Sequence, residues 1–423
     1  MSVILDKLQQ CVSQIEPGKT LCIAYSGGID SSALLHAAKT ICTVTGHTLK
    51  AFHVDHQIHA DSRRWAQQCE NQCHEMGIEI QIIPAKIEPF RQLGVEAAAR
   101  EARYQAFANR LSENDVLLTA HHADDQIETM LLQLFRGAGS HGLAACAPFR
   151  KLGNALLVRP WLEITRHQIE QYARLHNISW LEDPSNSSLM HDRNYLRHQV
   201  MPLLHQRWPG LHQTMVRSAL WQSETSDMLD TQARLDALEA VDEAGRLIIE
   251  KVDSFEQPRQ KNLLRGWIRS AGYQVPSAHV IQQVIHGAIL SRYDCEACIR
   301  WQQIEIRKFR GRLYLQKVQP EHDATLCLEW VLKQPLEIPS LGMTLTPEQL
   351  GQFGVNIKGI EQVTVSFRRG GEVMRPRGRG CQKTLKALFQ EQGIEPWERD
   401  RIPLLFHQQR LIFVWGYWIG EGY

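Results

Sequence analysis

Leu21-Cys22-Ile23-Ala24-Tyr25-Ser26-Gly27-Gly28-Ile29-Asp30-Ser31-Ser32 is the stretch on which the reading of the fold turns. An apolar run, preceded by Pro17-Gly18, meets a small polar turn, after which Ala33, Leu34, Leu35, Ala37 and Ala38 recur at helical spacing. This is strand, tight loop, helix. Gly27 and Gly28 let the backbone turn sharply and approach a ligand, while the helix start aims unpaired N–H groups and its positive dipole end at the same point. The chemistry suits a phosphate. Ser26, Ser31 and Ser32 offer hydroxyl donors, and Asp30 offers a carboxylate for a magnesium ion bridging phosphate oxygens. No Lys stands where a Walker A loop carries one, so that device for γ-phosphate transfer is excluded.

Outward from this stretch, the N-terminal half alternates strands and helices. Residues 49–55 read as a strand running into the polar cluster Asp55-His56-Gln57-Ile58-His59, 62–76 as a helix closed by Gly77, and 78–83 as a strand stopped by Pro84. A helix over 95–111, a strand over 116–120 and a helix over 124–135 follow. Such repeats predict an α/β fold with a doubly wound parallel sheet, whose ligands bind beyond the carboxyl ends of the strands. The loop after Tyr25, the cluster after Val54 and His121-His122 all fall there. Residues 137–143 read as a glycine-rich loop, and 161–177 as an amphipathic helix with Thr165 near its start.

From about residue 216 the alternation stops. Helical patterns run through Leu229, Leu235 and Leu238, through Leu263, Leu264, Trp267 and Ile268, and through Val280, Ile281, Val284 and Ile285. A hairpin over 299–315, turning at Arg310-Gly311, gathers Arg292, Arg300, Arg307, Lys308, Arg310 and Arg312; a second pairs 402–406 with 411–415. The expected domains are a catalytic domain over 1–215, a mainly helical domain with a hairpin over 216–325, and a small α+β domain over 336–423.

A second informative stretch is His121-His122-Ala123-Asp124-Asp125-Gln126-Ile127-Glu128-Thr129. On a helix, Asp125 and Glu128 are three apart and Asp124 and Glu128 four apart, so these carboxylates share a face near the helix N-terminus. They suit binding of magnesium or acceptance of a proton from an attacking amine. Acidic residues in a first turn also simply complement the helix dipole. Two histidines beside two aspartates fit zinc less well, because no Cys or His recurs at a compact structural-site spacing.

Ser26-Gly27-Gly28-Ile29-Asp30-Ser31 resembles the PP-loop of the ATP pyrophosphatases, which cleave ATP between the α and β phosphates and leave AMP on the substrate. The stretch 121–129 narrows the resemblance to the tRNA(Ile)-lysidine synthetases. So do Val95-Glu96-Ala97-Ala98-Ala99-Arg100 with Arg103-Tyr104, Arg159-Pro160-Trp161, residues 180–194 containing Asp183-Pro184-Ser185-Asn186 and Arg193-Asn194 with Arg197, and residues 370–401. The resemblance implies an enzyme that adenylates the O2 of the wobble cytidine of a tRNA(Ile) with a CAU anticodon. The ε-amine of free L-lysine then attacks C2 and expels AMP, moving the tRNA from methionine to isoleucine identity. It implies ATP as substrate and Mg²⁺ as cofactor, with Ser26, Gly27, Gly28, Ile29, Asp30 and Ser31 as the nucleotide loop and Asp30 and Asp125 as metal ligands. The essential carboxylates fall on Asp125 and Glu128 and the catalytic-site arginine on Arg100, with Arg103 one helical turn away as its rival. These roles have physical sense: an arginine offsets charge on the α-phosphate, and a carboxylate helps an amine whose ordinary pKa is about 10.4 attack in its neutral form.

The formal charge of +1 over 423 residues leaves any nucleic-acid surface to local clustering. Arg193-Asn194-Tyr195-Leu196-Arg197-His198 combines cations with an aromatic, as a segment that holds a phosphate backbone does, although a surface helix cap has the same composition. Residues 368–386 hold seven cations, Arg368, Arg369, Arg375, Arg377, Arg379, Lys383 and Lys386, against the single acid Glu372. We read this crowding as a tRNA-binding stretch. No charged segment with an apolar core stands at Met1 and no apolar run is long enough to span a bilayer, so the sequence reads as soluble and cytoplasmic, without a membrane partner. A homodimer is left open. Ten scattered cysteines fit reduced thiols. The alternative function is PP-loop tRNA thiolation, which calls for reactive paired cysteines; Cys69 and Cys73, four apart on a helix, read as structural.

Overall fold

The computed structural model describes residues 2–57, 61–86, 95–182, 189–292 and 295–423, and for Val95 and Glu96 the backbone alone. Ile58-His59 and Asp183-Pro184-Ser185-Asn186, quoted above, lie outside the described residues. Contacts within the chain divide it into two units, Met1–Thr231 and Gln232–Tyr423.

The first unit runs α1 (Val3–Val12), β1 (Thr20–Ala24), α2 (Ile29–Thr45), β2 (Thr48–Asp55), α3 (Ser62–Glu75), β3 (Glu79–Pro84), α4 (Val95–Ala108), β4 (Asp115–Leu118) and α5 (Ala123–Phe135). A single helical turn, α6 (Ser140–Leu143), precedes β5 (Phe149–Leu152), β6 (Ala155–Val158) and α7 (Arg166–Leu175). The sheet order is β3-β2-β1-β4-β6-β5, parallel except for β5 at its edge. The chain leaves β1 toward β2 and β3 and returns to place β4 on the other side of β1. The gap beyond the ends of β1 and β4 is therefore the switch point, where such sheets bind ligands. β1 is buried at Leu21, Cys22 and Ile23, as a central parallel strand covered on both faces must be. α1 closes one face with Ile4, Leu8 and Val12 on a common stripe.

Several elements depart from the sequence reading. The helix expected over 161–177 begins only at Arg166, because the Thr165 hydroxyl accepts from Gln168 N and caps it; Trp161 instead lies fully buried, donating from Nε1 to Ile4 O at 3.3 Å. The 137–143 loop contains the α6 turn. After α8 (Asp192–Tyr195), Leu196–Val200 widens into a π-helical turn before α9 (Met201–Arg207) and the long α10 (Leu211–Ala240), which runs through residue 215 and passes from the first unit into the second. Its leucines at 229, 235 and 238 are exposed; Ala219, Ser226, Ala233, Asp236 and Ala240 are the buried positions. The reason is close packing within the second unit, where a Cβ built on Gly266 would sit 2.7 Å from that of Ala233, leaving no room for leucine.

The second unit holds two main sheets. Leu247–Ile248, Arg312–Lys317, Ile304–Phe309 and Cys298–Trp301 form one, packed on the helix Gln257–Ser270. The expected hairpin is a three-stranded meander, because the chain also turns at Gln302-Gln303; Arg310 and Gly311 both have positive φ, as a tight two-residue hairpin turn requires. The other sheet joins Cys327–Val331, Gln362–Ser366, Leu404–His407, Arg410–Val414 and Trp418–Ile419. Leu385, Leu388 and Phe389 of the helix Leu385–Gln392 are buried beside it.

Candidate active site

The loop between β1 and α2 is held by its own hydroxyls. Ser31 Oγ donates to Gly28 O at 3.0 Å and accepts from Ser26 N at 3.2 Å, and Ser32 Oγ donates to Gly27 O at 3.2 Å. Gly27 has φ +83°, and a Cβ there would lie 2.7 Å from Leu181 Cδ1 and 2.8 Å from Cys69 Sγ. Leu181 N donates to Gly27 O at 2.8 Å, so the 180–182 segment clasps the loop from outside. The first intrahelical bond of α2 is Ser32 N to Gly28 O. The amides of Ile29, Asp30 and Ser31 thus precede the helix's own bonding and form the anion-binding end.

Across the switch point stands the N-terminus of α5, and here the central residue is one that the sequence reading named only within the pair His121-His122 and gave no role. His122 is 1 % exposed and meets three carboxylates: Asp124 Oδ2 at 3.5 Å, Asp125 Oδ2 at 3.5 Å and Asp30 Oδ2 at 3.9 Å. Burial alone disfavours its charge, but Asp125, Asp124 and Asp30 together raise the imidazole to about 9. It is an imidazolium at neutral pH, tying the PP-loop carboxylate to the α5 carboxylates. Its neighbour His121 is the opposite case, pushed down to about 3 by burial and hydrogen-bonded to Thr119 Oγ1 at 2.8 Å. The repeat His121-His122 before an acidic helix start was the available signal; which ring carried the charge depended on tertiary placement.

Asp125 accepts from His122 N at 3.1 Å and faces Arg197 Nη2 at 3.3 Å. Burial works to raise its pKa, yet the charged His122, Arg193 and Arg197 hold the carboxylate below its ordinary value. Glu128, 1 % exposed, accepts from Arg197 Nε at 2.7 Å and Nη2 at 3.0 Å, with Arg193 Nε 3.2 Å away. Burial raises its pKa and the two guanidinium groups oppose that rise. Arg193 also donates to Thr129 Oγ1 at 2.7 Å. Arg193 and Arg197, expected to meet tRNA, are committed to these carboxylates, and Arg197 sits within the π-helical turn. Asn194 lies beside them on α8, with a polar interaction of its own.

A cavity of about 590 Å³, within the range of small-molecule sites, opens between these two halves. Ser26, Asp30 and Ser31 line one side, and His121, Asp125 and Arg193 another. Arg100 and Arg103, exposed on α4, both face it, with Arg100 stacked on the Tyr104 ring at 5.2 Å. Glu128 lies behind Asp125 and is not among the lining residues. His56, from the polar cluster after β2, also lines the cavity; both its ring nitrogens are buried without a hydrogen-bond partner among the described residues, and burial with Arg103 nearby pushes it down to about 4.

The cations of 368–386 lie in the second unit, remote in sequence from this site and largely paired. Arg368 meets Asp400 at 3.0 Å, Arg375 meets Glu421 at 2.9 Å, and Arg379 meets Glu391 at 2.7 Å, with Lys383 on the other oxygen of Glu391. Arg369 and Arg377 donate to the carbonyls of Thr325 and Gly354, while Lys386 is exposed. The local excess of charge is partly offset by acids that lie beyond the stretch, Glu391, Asp400 and Glu421. In the meander, Lys308 is buried on Ser291 and Arg292 oxygens, and Glu305 binds Arg300 and Arg307.

Three family models match the chain: a PP-loop domain at residues 2–204, the TilS substrate binding domain at 247–314 and the TilS substrate C-terminal domain at 363–423. A tRNA(Ile)-lysidine synthase of Coxiella burnetii is 39 % identical over 99 % of this chain and 93 % of its own length. The chain belongs to the tRNA(Ile)-lysidine synthase family. Synthases of this name from Legionella pneumophila (strain Paris) and Serratia proteamaculans are 37 % and 38 % identical, over 97 % and 98 % of this chain and 94 % of each relative. Cys69, which packs against Gly27, and Cys73 are the thiols that the sequence reading took as structural. Cys69 and Cys73 are fully buried and burial raises both to about 12. No helix among the described residues is long and apolar enough to cross a membrane.

Proposed function

We propose that this protein ligates free L-lysine to C2 of the wobble cytidine of a tRNA(Ile) with a CAU anticodon, consuming ATP and releasing AMP and pyrophosphate. The observation that carries the reading is that one cavity joins an anion-binding loop at Ser26–Ser31 to the carboxylate and arginine cluster of α5, α8 and the π-helical turn. Cytidine O2 attacks the α-phosphate and pyrophosphate departs; the lysine ε-amine then attacks C2 and AMP departs. The amides of Ile29, Asp30 and Ser31 grip the departing phosphates, and Arg100, with Arg103 beside it, offsets charge developing at the α-phosphate.

Asp30 is the residue we assign to Mg²⁺. Its Oδ1 is buried without a hydrogen-bond partner among the described residues, and burial raises its pKa despite His122 and Arg166, which is the state of a carboxylate built to face a cation. Asp125 is the second candidate ligand, with its oxygens shared between His122 and Arg197. When bound, the ion neutralises charge on the phosphates. Asp125 lines the cavity, and to it rather than to Glu128 we assign acceptance of the amine proton. Glu128, with both oxygens on arginines, acts by positioning Arg193 and Arg197. The exposed ion pairs of 368–386 bind tRNA phosphates by exchanging a carboxylate for a phosphate.

The test is ATP-dependent transfer of labelled lysine to a tRNA with a CAU anticodon, with Asp30→Ala as control. Incorporation accompanied by AMP, lost in the variant, is the expected result. AMP formation without lysine incorporation points to thiolation or another nucleophile.

A further inference from the structure

A second cluster of ligating side chains meets at Asp124, and none of its three members lines the nucleotide cavity. Asp124 stands in the first turn of α5, His205 near the end of α9 and His212 at the start of α10. His212 Nε2 is 2.9 Å and His205 Nε2 3.9 Å from the same oxygen, Asp124 Oδ1. The two imidazoles are stacked, with centroids 4.3 Å apart and planes inclined by 18°. We propose that Asp124, His205 and His212 bind one divalent transition-metal ion of the zinc class, which fastens α9 and α10 to the N-terminus of α5.

The geometry supports a metal better than a hydrogen-bonded triad. Two histidines aim the same kind of nitrogen at one carboxylate oxygen, and at 3.9 Å His205 is beyond hydrogen-bond reach of it. One ligating atom from each residue can be chosen so that all three lie within 4.8 Å of one another. Zinc–nitrogen and zinc–oxygen bonds near 2.1 Å in a tetrahedron place ligands roughly 3.4 Å apart, and the two measured separations from Oδ1 straddle that value. For both Nε2 lone pairs to meet one ion the two rings must turn out of their stacked arrangement, which their partial exposure allows. Two imidazoles, one carboxylate and an open fourth position for water make a donor set suited to zinc, and the imidazoles favour it over the harder Mg²⁺.

The carboxylate is also held as a metal ligand should be. Asp124 Oδ2 accepts from Arg166 N at 2.9 Å and faces His122 at 3.5 Å, which leaves Oδ1 directed at the histidines. Side-chain exposures of 21–29 % let an ion enter from solvent without leaving the ligands loose. The site is separate from the one assigned to Mg²⁺: Asp124 does not line the nucleotide cavity. Its consequence reaches that cavity through the backbone, because α9 directly follows the turn that carries Arg197.

The exposed Cys295 and Cys298 are rival zinc ligands, so the experiment uses the full chain with both changed to Ser. After chelator treatment, Co²⁺ and Zn²⁺ are titrated into this protein and into its His205→Gln and His212→Gln derivatives. One equivalent of Co²⁺ is expected, with d–d bands but no thiolate charge-transfer band, and Zn²⁺ should raise the melting temperature. Loss of an outer-shell partner costs 10–100-fold in metal affinity, so loss of a ligand should cost more than about 100-fold. Each histidine derivative should therefore lose both the spectrum and the thermal shift. The metal-free melting temperature checks that each derivative folds, and either one decides if the other does not. Equal binding by parent and derivatives, or no binding by the parent at millimolar zinc, overturns the proposal.

Discussion

Glu128 and Glu391 are each held by two cations, yet the two groupings behave differently. Glu128 is 1 % exposed and takes Arg193 and Arg197; Glu391 is 43 % exposed and takes Arg379 and Lys383. Around Glu128 water is excluded, so each charge needs its partner and none can be surrendered to a ligand without replacement. Around Glu391 water and salt screen the pairs, and a phosphate can displace the carboxylate at little cost. Arginine near a carboxylate is thus a fixed support in one unit and an exchangeable contact in the other.

The sharpest way to break this contrast is Glu128→Ala. Two partly buried guanidinium groups lose a counter-charge, with Arg197 left only Asp125, and removal of the buried partner from such a cluster costs up to about 3–5 kcal/mol. Denaturant unfolding of the first transition should show that loss, with lysine transfer abolished as Arg193 and Arg197 move. An unchanged midpoint would place Glu128 among the exchangeable pairs.

His122 should give the next largest effect. Its imidazole is raised from about 6.5 to about 9 by the folded structure, so its charged form stabilises folding fully below about pH 6.5, and that contribution is lost as the pH rises through about 9. The shift corresponds to about 3 kcal/mol. Stability measured from pH 6 to 10 should fall more steeply in the parent than in His122→Gln. Parallel curves would remove the imidazolium from the site.

These two residues also show what could be read from sequence. The β1–loop–α2 unit was legible because all its determinants are local: glycines at the turn, helical spacing after it, and hydroxyls that bond within six residues. Asp125 and Glu128 were legible as one helical face. The commitment of Glu128 to Arg197 was not, since the partner comes from a π-helical turn 69 residues away. The charge on His122 was half legible: Asp125 and Asp124 are neighbours in sequence, but Asp30 arrives from another strand's loop and burial decides which of the two histidines keeps its proton. The same limit applies to the fold: Leu229, Leu235 and Leu238 have the spacing of a buried stripe, but the small pair Gly266 and Ala233 sets which face of α10 packs. The acids that offset 368–386 are likewise outside the stretch, so its charge excess looked larger than it is.

Gly27→Ala tests the local part. Its left-handed backbone costs a non-glycine residue about 1–2 kcal/mol, and the added methyl must displace Leu181 or Cys69. The expected outcome is a modest drop in melting temperature with a disproportionate loss of ATP-dependent AMP formation, because the loop's amides turn away from the phosphates. A variant with normal turnover would show that the loop's path is not what binds the nucleotide.

The smallest effect on folding, and the one that sharpens the contrast most, belongs to Arg379 and Glu391. Arg379→Ala should leave the unfolding midpoint where it is, since its partner remains solvated. It should weaken tRNA binding and lower the slope of log affinity against log salt by about 1, as loss of one phosphate contact does. Glu391→Gln should do the reverse, freeing Arg379 and Lys383 and tightening binding at low salt. The paired measurements separate electrostatics from shape: if both variants shift affinity in the same direction, the Glu391 grouping is a structural support like Glu128. Opposite shifts with unchanged stability establish it as a carboxylate holding the place of a phosphate.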